Sequence, residues 1–305
     1  MGKRIVTPLV AILALLGTLV PTVSAQATLP RPDHIVIVIE ENKDYDQIVN
    51  SSNAPYLNSL IEQGALLTNS YGLHHPSQPN YIELFSGNGQ GVFNDTCPAA
   101  KFSTASLGGS LLNSDFSFTG YAEGLPANPT ICFQGQYGKK HCPWLDFKDV
   151  PASASRNFSS FPAGAAGFAK LPNVAFVIPN LIHDMHFVQT VSQDVPHQVR
   201  NGDAWLKSKL DAYVQWAKTH NSLLIITWDE DDAQYTYPQK PAQQITTTPP
   251  QNHIATILVG AMVKPGATSS QQYTHYDLLR TIEDMYGLPL LGGSGQAKDI
   301  TGIWK

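Results

Sequence analysis

Three short runs of consecutive apolar residues stand out along the chain, and each gives way abruptly to a polar cluster. Ile35 to Ile39 runs into Glu40-Glu41-Asn42. Val174 to Ile178 is followed by Pro179-Asn180 and then His183-Asp184-Met185-His186. Leu223 to Thr227 meets Trp228-Asp229-Glu230-Asp231-Asp232. Unbroken, largely β-branched runs of this length suit strands covered on both faces, as in a parallel sheet clad with helices. Helical periodicity lies between them. Pro55 to Gln63 places Leu57, Leu60 and Ile61 on one face, with Gly64 as its stop. Asp203 to Thr219 repeats Leu206, Leu210, Val214 and Ala217, and Tyr276 to Tyr286 carries Leu279 and Ile282 ahead of Gly287. The alternation predicts an α/β fold, with a mostly parallel central sheet and helices on both faces. Ligands of open α/β sheets sit beyond the carboxyl ends of the strands. The three polar clusters are therefore expected to converge on one site.

From 81 to 170 the pattern changes. Gly, Ser, Pro and Asn dominate, and only short candidate strands such as Phe116 to Tyr121 remain. This reads as a loop-rich insertion or cap at about 88–170 within a single domain over 26–305. Tyr235 to Pro250 is polar and Pro-rich and reads as an exposed loop. At the start, Lys3 and Arg4 precede a mostly apolar run from Leu9 to Val20 and a small-residue end, Val23-Ser24-Ala25. That layout is a secretory signal peptide over 1–25, and the run falls short of the roughly 20 apolar residues of a membrane span. Cleavage after Ala25 would make the protein secreted or periplasmic, without stable membrane insertion.

Composition narrows the choice further. Only 14% of the 305 residues are charged and the formal net charge is -5. This excludes a disordered charged tail and argues against a general nucleic-acid binder. Cys97, Cys132 and Cys142 lack zinc-site spacing. An oxidising compartment permits one disulfide among them and leaves one cysteine over.

The polar clusters carry definite chemistry. Glu41, Asn42, Asp229 and Glu230 offer hard oxygen ligands of the kind that hold Mg, Ca or Mn. His183, His186 and His253 add borderline ligands or proton donors. A cation held there would polarise a phosphoryl oxygen. In His74-His75-Pro76-Ser77-Gln78-Pro79-Asn80-Tyr81, Pro79 marks a first helical turn and Ser77 lies at a helix N-terminus, where backbone N–H groups favour a phosphate. On local sequence Ser77 reads first as an N-cap, while a cation on its Oγ would make it a nucleophile. His253 precedes the apolar run Ile254 to Val259. Either that strand is antiparallel or its loop carries His253 around. Lys140-His141 reads locally as a solvated turn, and alternatively as a point charge for phosphate.

Eight segments, in order, resemble the phosphoesterase family of the alkaline-phosphatase-like superfamily, which includes secreted acid phosphatases and phospholipases C. They are HIVIVIEEN (34–42), HPSQPNYIELFSG (75–87), GYAEGLP (120–126), KKHCPW (139–144), PNLIHDMH (179–186), TWDEDD (227–232), NHIATILVGAMVKPG (252–266) and HYDLLRTIEDMYGLP (275–289). The resemblance implies metal ligation by Glu41, Asn42, Ser77, Asp229 and Glu230. It implies catalysis by Ser77 with Asp184, His186 and His141, and substrate binding by His75, Asn80, Lys140 and His253. It further implies one divalent ion (Ca, Mg, Mn or Zn) and pairing of Cys97 with Cys132, leaving Cys142 over. The expected activity is that of an acid phosphatase, hydrolysing small phosphomonoesters through a phosphoserine intermediate. A phospholipase C-type phosphodiesterase shares the core, but such members carry additional C-terminal domains, whereas this chain ends at Lys305. A non-catalytic exported binding protein on the same scaffold is the other reading. Phe187 occupies a position where relatives often have an acid, which bears on substrate fit or a second metal.

Overall fold

The computed structural model describes residues 1–3, 29–97, 101–186, 194–232 and 252–305. The expected signal segment beyond residue 3, Phe187 and the 235–250 loop lie outside the described residues.

Eleven strands are described: β1 (His34–Glu40), β2 (Ala65–Tyr71), β3 (Phe118–Ala122), β4 (Phe133–Gln134), β5 (Tyr137–Gly138), β6 (Ser155–Asn157), β7 (Val174–Ile178), β8 (Ser222–Trp228), β9 (His253–Gly260), β10 (Ala267–Ser269) and β11 (Tyr273–Thr274). The main sheet runs β10-β2-β9-β8-β1-β7-β3-β6, with β11 also on β2, while β4 and β5 form a separate hairpin. The three apolar runs lie side by side at its centre, β1 pairing in parallel with both β7 and β8. β9 alone runs antiparallel, between β2 and β8. This resolves the direction of the His253 strand: His253 begins β9 at the end of the sheet where β8 finishes.

The helices are α1 (Tyr45–Ile48), α2 (Pro55–Gln63), α3 (Ser77–Ser86), α4 (Leu107–Asn113), α5 (Gly164–Phe168), α6 (Val195–Ala217) and α7 (His275–Tyr286). Alternate residues of each central strand point to opposite faces. Ile35, Ile37 and Ile39 therefore join one core with Phe85 of α3, Leu107 of α4 and Ile282 of α7. Val36 and Val38 join the other, with Leu57 and Leu60 of α2 and Leu206, Leu210 and Val214 of α6. Each such fully buried side chain stabilises the fold by about 2 kcal/mol. Among the described residues, no helix is long and apolar enough to cross a membrane.

One boundary differs from expectation for a physical reason. Helix α6 starts at Val195, well before Asp203, because Asp194 caps it by accepting from His197 N and Pro196 sits in its first turn. Asp203 is instead an interior residue of α6 whose carboxylate caps a different helix, accepting from Tyr56 N at 3.1 Å and Leu57 N at 2.8 Å. The 88–170 stretch does more than cover the sheet. It supplies β3 and β6 to it, and a short 3-10 turn, Lys139–His141, that reaches the strand ends.

Candidate active site

The carboxyl ends of β1, β7 and β8 are tied together by backbone hydrogen bonds. Glu41 N donates to Asp184 O at 2.7 Å, Asp229 N to Glu40 O at 3.0 Å, and Lys43 N to Glu230 O at 3.2 Å. These bonds fix the three polar clusters relative to one another. Strand alternation sends Glu40 and Glu41 to opposite faces. Glu40 is fully buried with no hydrogen-bond partner, and burial, with Asp184 and Asp203 nearby, raises its pKa well above the carboxylate range. Asn42 turns the chain at φ 48°, a left-handed conformation that Asn tolerates better than most residues.

Ser77 is the first residue of α3, and Pro76, not Ser77, occupies the cap position. The Ser77 hydroxyl is thus free of capping duty. Its Oγ lies 3.1 Å from Glu41 Oε2, 3.0 Å from Glu230 Oε1 and 3.4 Å from Lys140 Nζ. A hydroxyl has one proton to donate, so two carboxylates compete for it while an ammonium faces the oxygen. Asn42 serves Glu230, donating to its Oε1 at 2.8 Å, and its backbone N donates to Asp229 Oδ1 at 3.1 Å. Asp229 Oδ2 is buried and has no partner.

The basic groups stand behind this trio. His141 Nε2 lies 2.8 Å from Glu41 Oε1 and its Nδ1 lies 3.3 Å from Asp184 Oδ2. Tyr81, one turn along α3 from Ser77, stacks on the His141 ring and donates its hydroxyl to Glu41 Oε1 at 2.8 Å. His186 Nε2 is 3.9 Å from Glu41 Oε2, and its backbone N donates to Asp184 Oδ1. His75 spans Glu230 Oε2 at 2.5 Å and Asp231 Oδ1 at 3.2 Å. Lys140 Nζ pairs with Asp95 Oδ2 at 2.8 Å, while Asp95 Oδ1 accepts from Gln78 N in the first turn of α3.

The charges respond as their surroundings dictate. Burial alone would raise the Glu41 pKa, yet His141 and Lys140 bring it well below the usual range. Burial, then Glu41 and Glu230, push Asp229 well above it. Burial also raises Glu230, against the opposing pull of His75. For His75 burial works downward, but Asp231 and Glu230 lift it to about 10. For His141 burial again works downward, and Glu41 and Asp184 lift it to about 9. Burial likewise opposes the charge on Lys140, and Glu41 and Asp95 hold its pKa above the ordinary lysine value.

Long-range packing places the basic turn. Trp144, just beyond it, lies directly on Gly120 of β3, where a Cβ would come within 2.2 Å of the indole. Its Nε1 donates to Ser155 Oγ at 3.0 Å, and Lys139 is paired with Asp146 in the interior. The reading of Lys140-His141 as a solvated turn is therefore corrected: all three residues of the turn are buried. Cys97 and Cys132 form a disulfide, which links the segment of Asp95 to the β4–β5 hairpin just before the turn. Cys142 is left over and buried.

The structure thus gathers Glu41, Asn42, Ser77, His75, Lys140, His141, Asp184, His186, Asp229 and Glu230. It places three other candidates elsewhere, among them His183, whose Nδ1 lies 2.8 Å from Glu123 Oε2. Asn80 braces the loop ahead of the helix, accepting from Leu73 N and His74 N and donating to His74 O, each at 2.9 Å. His253 is stacked between Tyr45 and Tyr71, with its Nε2 on Thr68 O at 3.1 Å. Sequence reasoning missed Tyr81, Asp95, Asp231 and Asn252. Asn252 accepts from Asp231 N at 2.6 Å and donates to His74 O at 3.0 Å. Tyr81 was accessible as the residue four after Ser77 on one helix face. Asp95 sits in a loop with no local signal. Among the described residues, no three His, Cys, Asp or Glu side chains are already arranged as a metal-ligand set.

Comparison with known proteins bears on the chain as a whole. The Phosphoesterase family pattern matches residues 49–289. Over 281 residues the chain is 41% identical to a phosphatidylinositol-3-phosphatase of Mycobacterium tuberculosis, a match covering 92% of this chain and 85% of that protein. It is 28% identical over 272 residues to an acid phosphatase of Aspergillus fumigatus, covering 83% of this chain but only 54% of the fungal one. In three dimensions it is similar to an alkaline phosphatase superfamily protein from Vibrio parahaemolyticus. There the TM-score is 0.59 at 14% identity, over 90% of this chain and 71% of that one.

Proposed function

The chain belongs to the Phosphoesterase family and is a phosphoric ester hydrolase, and on that premise we propose an exported, cation-dependent phosphomonoesterase of the acid phosphatase type, with residues 26–305 as its domain. The observation that carries this reading is the Ser77 hydroxyl, placed at the first turn of a helix between Glu41, Glu230 and Lys140.

Ser77 Oγ passes its proton to the adjacent Glu230 carboxylate and attacks phosphorus in line with the leaving oxygen. The Oγ–P bond forms as the bond to the substrate alcohol breaks. Lys140 stabilises charge on the equatorial oxygens. His186, partly exposed beside Glu41, protonates the departing alkoxide. Asp184 is fully buried behind His141, so its part is to orient and charge that ring. Water then attacks the phosphoserine, the Oγ–P bond breaks, and phosphate leaves with Ser77 restored.

The donor set fits a hard divalent cation. Glu41, Asp229 and Glu230 are three buried carboxylates in one place, and Asp229 Oδ2 has no partner. An ion of Ca, Mg, Mn or Zn held by Glu41, Asn42, Ser77, Asp229 and Glu230 would supply positive charge for the phosphoryl oxygens and the serine alkoxide. The relatives from Mycobacterium tuberculosis and Aspergillus fumigatus are named as phosphatases, which supports monoester over diester chemistry. Export rests on the sequence of residues 1–25 and accords with the Cys97–Cys132 disulfide.

The test compares hydrolysis of p-nitrophenyl phosphate with that of its choline diester, before and after EDTA and with each ion restored. Preference for the monoester, loss with EDTA and acid-stable label on Ser77 are expected. Faster diester cleavage, or full activity in Ser77→Ala, would overturn the assignment.

A further inference from the structure

The main sheet extends two strands beyond β7, to β3 and then β6. On the face that carries Val36 and Val38, α6 packs over the centre of the sheet. The β3–β6 edge borders a trough of about 460 Å³, a volume in the range that takes a whole small molecule.

The strand pattern decides which side chains reach it. Thr119 and Tyr121, alternate residues of β3, point to one face and line the trough. Arg156 of β6 stands opposite Tyr121 in the ladder and so shares that face. Lys170 lies on the approach to β7, and Ser160, at the end of the 3-10 turn Phe158–Ser160, adds a hydroxyl. Helix α3, which carries Ser77, packs with Ile35, Ile37 and Ile39 on the opposite face. Among the described residues, none of the trough side chains is hydrogen-bonded to Ser77 or to the carboxylates around it.

The charge of this trough is unbalanced. Two cations converge on it and no acid lines it. Among the described residues, neither Arg156 nor Lys170 makes an ion pair or a side-chain hydrogen bond. Lys139, Lys140 and Arg280, by contrast, are each paired with a carboxylate. Burial raises the Tyr121 pKa, and the nearby Arg156 charge and a hydrogen bond with Thr119 pull it back, so all three groups meet at one phenol. The chain as a whole carries a formal net charge of -5. Unpaired positive charge in a cleft of such a protein concentrates anions there. Two cations favour a dianion over a carboxylate. The planar arginine fork matches phosphate oxygens two at a time, and lysine adds a point charge.

We propose that this trough is a second, non-catalytic anion site, in which Arg156 and Lys170 clamp the phosphate group of a small molecule and the Thr119 and Ser160 hydroxyls hydrogen-bond its remaining oxygens. The phosphate is either the free ion or part of a small organic ester. The site is independent of the hydrolytic reading above, because it shares no residue with it.

Equilibrium dialysis against labelled inorganic phosphate tests this, in protein carrying Ser77→Ala so that added esters persist. Adding Arg156→Gln and Lys170→Gln together should remove one equivalent of bound phosphate. Both side chains are exposed, so the fold should survive, and with Ser77 intact kcat and KM for p-nitrophenyl phosphate should stay unchanged. Arg156→Lys, which keeps the charge and loses the fork, should weaken binding at this site by about tenfold. Competition by glycerol 3-phosphate at the site that the double variant loses identifies the source. Displacement below the concentration at which unlabelled phosphate acts assigns an organic phosphate, and displacement only above it assigns the free ion. Equal stoichiometry with and without the two glutamine substitutions would overturn the proposal. So would displacement by acetate at the concentrations at which phosphate acts.

Discussion

On the floor of the site, Glu41, Asp229 and Glu230 are buried with Lys140 and His141 pressed against them, whereas the rim from Gly124 to Gly138 has no charged residue and leaves Ile131 and Phe133 in solvent. The floor is held by charge in a low-dielectric setting, where each group depends on its neighbours for its ionisation state. The rim is held by a covalent cross-link and by short-range hydrogen bonds, such as that of the Tyr137 hydroxyl to Pro129 O. The two regions meet at Lys140 and His141, which belong by sequence to the rim and by contact to the floor. Floor substitutions are accordingly expected to act on turnover, and rim substitutions on stability and on the placement of Lys140.

The sharpest break would come from Ser77→Ala. Turnover should fall by about 10⁴-fold or more, with an unchanged circular dichroism spectrum, because the attacking oxygen is removed without disturbing the Pro76 cap. Glu230→Gln should cost about 10²- to 10³-fold in kcat with little change in KM. EDTA should reduce the parent enzyme to a similar level and reduce this variant little further, since both treatments disable the same centre. Steady-state kinetics with and without chelator would expose independent effects. Replacing Cys97 and Cys132 by serine opens a cross-link between residues 35 apart, and should lower unfolding free energy by about 2–4 kcal/mol in urea titrations. If the rim carries Asp95 to Lys140 as described, KM should rise several-fold in that variant while kcat changes less.

The smallest effect serves as a control outside both regions. Glu283 of α7 accepts from Leu291 N at 3.0 Å and from Ser294 Oγ at 2.5 Å, and burial raises its pKa to about 7. The folded value exceeds the unfolded one, so its contribution to stability is complete below about pH 4.5 and is lost as pH rises through about 7. Thermal midpoints measured across that window should fall less steeply in Glu283→Gln than in the parent. An unaltered slope would exclude Glu283 as the source.

The floor was largely legible in the sequence, because a buried parallel strand admits polar residues only where it ends. Glu41, Asp229 and Glu230 lie within two or three residues of the ends of their apolar runs, and the strand-end rule brings them together. The direction of β9 was not legible, since it depends on which strands flank it and not on its own residues. Lys140 and His141 looked like a solvated turn because nothing local discloses that Trp144 pulls them inward. Asp203 looked like the beginning of a helix because the apolar repeat Leu206, Leu210, Val214 and Ala217 starts just after it. The structure uses it as a cap, but for α2, across a tertiary contact. Both misreadings share a cause, which is that partners far away in sequence decided the role of an ordinary residue.

The indole resting on Gly120 makes the interior of β3 a remote control point for the nucleophile. A single added methyl there would need space already filled by Trp144, and that ring is carried on the backbone four residues beyond Lys140, whose Nζ lies 3.4 Å from Ser77 Oγ. Gly120→Ala would thus convert a change in volume into a change in electrostatic field at Ser77, without touching any group that meets the substrate.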